Sequence, residues 1–327
     1  MNELDKIRLK RMKKICSTQG WTLILYNLLM TVAVIAVFYA GYFAASFLMS
    51  FTNGGYDQDA MIEAAMNSGW GYWITIFIGV MILLIWKKPK YFSHTLCKNN
   101  APMGIGSFLM IFVIFIGVQG VFQILTIFLE SFLNSMGFSI LEGIKSASGD
   151  TDSVSMFLYV AIGAPISEEL LFRGVLLRAF EPMGKKLAIF TTALLFGLFH
   201  GNIVQIPFAF LVGLVLAYVT LEYSIWWSIL LHMFNNLILS DTISRLLPES
   251  VANMIVVVMI YGCMLAGGII LLVKRKAIAA YIQSHRNDPL AYRAFWGSAG
   301  MITFMAYILI NIVYTTWILI TPYTFTS

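Results

Sequence analysis

Long apolar runs separated by short polar stretches recur from one end of the chain to the other. A helix needs ~20 apolar residues to cross the hydrocarbon core, and the period-two alternation of membrane strands is missing, so the pattern predicts spanning helices rather than a barrel. In order, the spans fall at Trp21 to Phe51, Trp70 to Trp86, Ile105 to about Gly137, and Ser153 through Glu169 towards Arg173. They continue at Leu187 to His200, Ile203 to Leu221, Ile225 to Ser240, Ala252 to Val273 and Ser298 to about Pro322. The pieces between Leu187 and Ser240 are short and closely joined. The fold class is therefore an all-α polytopic membrane protein, a bundle of about eight or nine transmembrane helices.

Charge orients this bundle. The six basic residues from Lys6 to Lys14 precede the first span, whereas Thr52 to Gly69 after it carries Asp57, Asp59 and Glu63 and no Lys or Arg. Positive residues stay inside, so the N-terminus is expected in the cytoplasm of a multi-pass cell-membrane protein. Lys87, Lys88, Lys90 and Lys98, then Arg173, Arg178, Lys185 and Lys186, then Lys274-Arg275-Lys276 fall on the cytoplasmic side of an alternating count of nine. Ala277 to Phe295 reads as an interfacial or soluble helix-and-turn linker, broken at Asp288-Pro289. No cleavable leader is expected, because the first apolar run is about twice a ~7–15-residue signal core.

Composition narrows the class further. The chain has 327 residues, 59% hydrophobic and 11% charged, against roughly a quarter charged in soluble domains. A net charge of +5 is explained by topology determinants and anionic lipid, so lipids and not nucleic acid are the expected polyanionic partner. Cys16, Cys97 and Cys263 are widely separated and indicate neither a disulfide framework nor a zinc module. Four regions follow: a basic cytoplasmic segment 1–20, accessory spans 21–152, a core 153–240, and C-terminal spans with a cytoplasmic linker 241–327.

Intramembrane ionisable and amide groups concentrate in that core. Glu168, Glu169 and Arg173 end the apolar run Met156 to Ile166, and charge at membrane depth is retained where it pairs, faces a cavity or does chemistry. Glu169 and Arg173 are i,i+4 and share a helix face, while Glu168 is turned by about 100°. Pro165, just before them, is expected to kink the helix and free a carbonyl for a polar partner. Phe196-x-x-x-His200 closes the fifth span, and His232-x-x-x-Asn236 lies on one face of the seventh. Depths measured from the cytoplasmic charges are ~8 Å for Glu168, ~21 Å for His200 and ~15 Å for His232. They become compatible if the Glu168 helix continues past Arg173, which the apolar Val175, Leu176 and Phe180 allow.

A buried carboxylate, two imidazoles and an amide form the inventory for attack of water on an amide carbonyl. No Gly-x-Ser-x-Gly turn, nearby cysteine or His-Glu-x-x-His is present, which disfavours covalent catalysis and the common zinc signature. A Glu/His/His metal site assembled from distant helices stays open beside the metal-free reading. Singly, each residue has a plain explanation: Glu169 with Arg173 as a packing pair, and the histidines and Asn236 as interhelical hydrogen bonders. The same holds for Glu130, Glu222, Gln119, Gln123 and Gln205, and Trp226-Trp227 reads as an interfacial belt.

Glu168-Glu169-x-x-x-Arg173, Phe196-x-x-x-His200 and His232-x-x-x-Asn236, in this order, resemble the signature of the CPBP intramembrane proteases. These are also called CAAX protease and bacteriocin-processing, or Abi, proteins. The resemblance covers about a quarter of the chain, with no signature position departing. It implies a metal-independent glutamic endopeptidase without cofactor, in which Glu168 and His200 activate water and His232 and Asn236 stabilise the oxyanion. Glu169 and Arg173 would support them. The expected substrate is a membrane-associated peptide or protein, such as a prepeptide, a signal-like segment or a lipidated tail. The flanking helices are left to bind substrate or a membrane-protein partner. Other family roles imply an alternative, a non-proteolytic scaffold, regulator or bacteriocin self-immunity protein. A proton-coupled transporter fits the buried Glu and His but lacks a repeated pair of broken helices.

Overall fold

The computed structural model describes residues 1–51, 63, 67–91, 95–148, 153–239 and 247–322. Helix α1 (Glu3–Phe51) is followed by α2 (Trp70–Tyr91), α3 (Ile105–Ser135), a two-residue strand β1 (Phe138–Ser139) and the short α4 (Leu141–Ser148). The motif helix α5 spans Val154–Met183. Then come α6 (Lys185–Phe199), α7 (Gln205–Glu222), α8 (Ile225–Leu239), α9 (Glu249–Ser284), α10 (Ala291–Trp296), α11 (Ala299–Leu319) and β2 (Thr321–Pro322). The nine expected spans correspond to α1, α2, α3, α5, α6, α7, α8, α9 and α11. Among the described residues, six of these, α1, α3, α5, α7, α9 and α11, are long and apolar enough to cross a membrane. The apolar part of α2, Trp70–Leu83, is shorter, and α6 has 15 residues, ~22 Å of rise against a core of ~30 Å. The chain is thus an all-α polytopic membrane fold in which full-length helices are interleaved along the sequence with shorter ones. The acidic stretch Thr52 to Gly69, which the charge pattern puts outside the cytoplasm, falls largely outside the described residues.

Two helix crossings depend on bare glycine backbone. A Cβ on Gly20 of α1 would lie 2.2 Å from the Gly300 carbonyl oxygen of α11, and one on Gly300 would lie 2.0 Å from the Ser17 carbonyl. The Ser17 hydroxyl accepts from the Gly300 N–H at 2.9 Å. On the other flank, a Cβ on Gly117 of α3 would meet the Cys263 carbonyl of α9 at 2.7 Å. Such approaches maximise dispersion where lipid offers no hydrophobic drive to associate. The larger apolar core joins α1, α5, α6, α7, α10 and α11, and a second joins α3, α7, α8 and α9.

The basic triplet Lys274-Arg275-Lys276 does not end α9, which runs on to Ser284. Lys and Arg are good helix formers whose stems cover apolar surface, so charge marks the interface without breaking the helix. The break comes at the Asp288-Pro289 turn, where Asp288 pairs with Arg8 of α1. The neighbouring Asn287 side chain accepts from the Leu187 N–H at 3.1 Å in the first turn of α6. At the opposite end, Glu130 accepts from the Ser139 hydroxyl at 2.6 Å and the Ile140 N–H at 2.8 Å, anchoring β1 and the start of α4. Asn202, in the α6–α7 turn, donates to the Gly143 carbonyl at 2.9 Å, and the Thr315 hydroxyl of α11 donates to the Gly201 carbonyl at 2.5 Å.

Candidate active site

Helix α5 is not uniform. Its α-helical start at Val154–Leu158 is capped by the Ser153 side chain, and it widens into π-helix at Tyr159–Gly163 and again at Leu170–Leu177. Glu168 and Glu169 end the α-helical piece Ala164–Glu169 between the two wide segments. In the first, the Ala164 N–H donates to the Tyr159 carbonyl, so the next i→i+5 bond would run from residue 165 to the Val160 carbonyl. Residue 165 is proline and has no N–H. Asn236 of α8 supplies the donor instead, its Nδ2 lying 2.8 Å from the Val160 oxygen. The second wide segment keeps the chain helical past Arg173 to Phe180, the continuation that the depths required. There the Tyr91 hydroxyl donates to the Gly174 carbonyl at 2.6 Å; burial pushes this phenol up to about 12, which keeps it a donor.

The two glutamates have different surroundings. Glu169 is fully buried and its Oε2 lies 3.1 Å from Nε of the equally buried Arg173, an ion pair without the alignment of a hydrogen bond. Its Oε1 accepts from His232 Nδ1 at 3.0 Å. The Arg173 guanidinium also lies over the Phe196 ring, 4.8 Å from its centre, a contact that favours a cation held out of water. Glu168 keeps 20% of its side chain exposed and lies 3.8 Å from His232 Nε2. His232 therefore stands between both carboxylates. Because Nδ1 donates to Glu169, Nε2 is the atom left for Glu168 or for whatever fills the space beside it.

His200 ends α6 with Nδ1 2.8 Å from the Phe196 carbonyl. A carbonyl only accepts, so Nδ1 carries the hydrogen and the neutral ring presents a lone pair at Nε2. Phe196 meets both imidazoles edge-on, at 4.9 Å for His200 and 5.7 Å for His232. This phenylalanine thus touches three of the polar site groups, counting Arg173.

Glu168, His200, His232 and Asn236 line one cavity of about 860 Å³ between α3, α5, α6, α7 and α8, with Tyr72 of α2 and Ile144 of α4 on its wall. Glu169 and Arg173 lie behind that wall. Gln119, Gln123 and Gln205 also line the cavity, whereas Glu222 is bound elsewhere, by Lys185 and the Tyr281 hydroxyl at 2.7 Å each. Among the described residues, no group of three His, Cys, Asp or Glu side chains is arranged to hold a metal ion.

Sequence reasoning missed one participant. Asn235 accepts from Gln119 Nε2 of α3 at 2.6 Å, and its own amide donates to the Asn236 oxygen at 3.2 Å. A relay of amides thus runs from α3 through α8 to the freed carbonyl of α5, and the doublet Asn235-Asn236 in an apolar helix was its sequence signal. A second, apolar cavity of about 410 Å³ lies between α1, α2 and α5, bordered by Tyr26, Leu83 and Leu171.

No curated protein and no solved structure matches the chain. Residues 150–238, the stretch that holds all three motifs, match the family model described as Type II CAAX prenyl endopeptidase Rce1-like, a protease family.

Proposed function

We propose that this is a multi-pass cell-membrane endopeptidase, N-terminus in the cytoplasm, which hydrolyses a peptide bond of a membrane-associated peptide or protein without a metal. The observation that carries this reading is the convergence of Glu168, His200, His232 and Asn236, from α5, α6 and α8, on one cavity. Water held between Glu168 and the Nε2 lone pair of His200 gives up a proton as its oxygen adds to the carbonyl carbon. The oxyanion that forms meets Nε2 of His232, a donor when both ring nitrogens carry hydrogen, and the second amide hydrogen of Asn236. Collapse of the tetrahedral adduct breaks the C–N bond, and the proton taken from water goes to the leaving amine. Glu169, held by Arg173 and hydrogen-bonded to His232 Nδ1, fixes the orientation of that ring.

The test is comparative peptidomics of membranes carrying the wild type or Glu168→Gln. Loss of the general base lowers turnover by about 10²–10⁴-fold, so an uncleaved peptide should accumulate in the variant alone, and chelators should not reproduce the effect. Identical peptide profiles, with the variant present at wild-type levels, would favour the scaffold or self-immunity role.

A further inference from the structure

The helices that line the cavity, α2, α3, α5, α6, α7 and α8, do so from the same end. Tyr72 is two residues into α2, whose far end carries Lys87, Lys88 and Lys90. The α3 contribution begins at Gln119, at the midpoint of a helix that Lys98 precedes, and runs towards its far end as far as Ile127. In α5 the lining stops at Glu168, ten residues or ~15 Å short of Arg178. In α6 it is Phe196 and His200, the latter ~22 Å from Lys185. The α7 lining ends at Val212, on the side away from Glu222, which is tied to Lys185. The cavity therefore occupies the half of the bundle opposite the basic ends. Among the described residues, Lys145 is the basic side chain at this end, and it is paired with Glu142 at 2.8 Å.

From this we infer that the cavity opens to the extracytoplasmic side, and that its substrate is a peptide segment presented outside the cytoplasm. The side follows from the excess of Lys and Arg that marks cytoplasmic ends; the word substrate rests on the hydrolase reading above. A cytoplasmic protein anchored by a prenylated tail would present that tail at the basic end, ~15–22 Å from Glu168 and His200. A secreted prepeptide, or the outward-facing flank of a membrane segment, meets the lining directly. Ile144 of α4 is part of the wall at that end, so such a peptide enters beside this short helix.

The experiment uses the full chain with Cys16, Cys97 and Cys263 replaced by alanine. Met156→Cys and Gln205→Cys place a thiol on the cavity wall, and Lys10→Cys places one at the basic end; all are also made with Glu168→Gln. Spheroplasts are treated with a membrane-impermeant maleimide before and after lysis. The cavity thiols should react in intact spheroplasts, at least tenfold faster than Lys10→Cys, which should react only on lysis. Protection of both cavity thiols until lysis, or outside labelling of Lys10→Cys, would overturn the inference. Labelling needs no turnover, so the Glu168→Gln set should behave identically, and the hydrolase reading stands or falls separately on the peptide profiles.

Discussion

Pro165 has no N–H to give the Val160 carbonyl, and Asn236 gives one from another helix at 2.8 Å. Replacing Asn236 by leucine strands that carbonyl, at a cost of about 1–3 kcal/mol. Pro165→Ala restores a donor on α5 itself. The Asn236→Leu penalty should therefore shrink by about 1 kcal/mol in the Pro165→Ala background, a coupling measurable by unfolding of the four proteins of the cycle in detergent. Equal penalties in both backgrounds would mean that Asn236 does not brace this turn. The other end of the relay makes a related prediction: Gln119→Leu leaves Asn235 without its donor. It should lower turnover through Asn236 while leaving labelling of the cavity thiols unchanged. The Glu169–Arg173 pair is less informative as a single deletion, because removing either partner leaves a buried charge and unfolding masks the chemistry.

At the scale of elements, the α1–α11 crossing is the sharpest constraint. Gly20→Ala would push a methyl group into the Gly300 carbonyl and should destabilise the protein by about 1–3 kcal/mol, as overpacking does. Gly262→Ala on α9, where nothing lies within 4 Å of the added carbon, should leave the melting temperature unchanged or raise it slightly. The helices themselves were legible, because ~20-residue apolar runs admit no other structure in lipid. Their glycine crossings were not, since a glycine's partner belongs to a distant segment and leaves no local period. Pro165 announced a freed carbonyl, but nothing in the spacing announced two π segments, which depend on what packs around α5. The span read to end at Val273 and the helix-and-turn linker after it form one unbroken helix to Ser284, a continuity not legible because basic residues mark an interface and say nothing of where a helix stops.

For the molecule as a whole, the candidate site was readable to the extent that chemistry is rare in an apolar chain. Glu168, His200, His232 and Asn236 stand out against their neighbours, and the structure brings them to one cavity. The Asn235 link to Gln119 was hidden because it joins residues 116 positions apart. One further property follows from the 15-residue length of α6. A helix of ~22 Å in a ~30 Å core is mismatched, and a bilayer answers such mismatch by thinning locally. Where the bilayer thins in this way, the α6–α7 turn that carries His200 would lie nearer the aqueous phase, and membrane thickness should control water supply to the cavity. In vesicles of progressively longer acyl chains, reaction of the Met156→Cys thiol with the maleimide should slow, with no change in the protein itself.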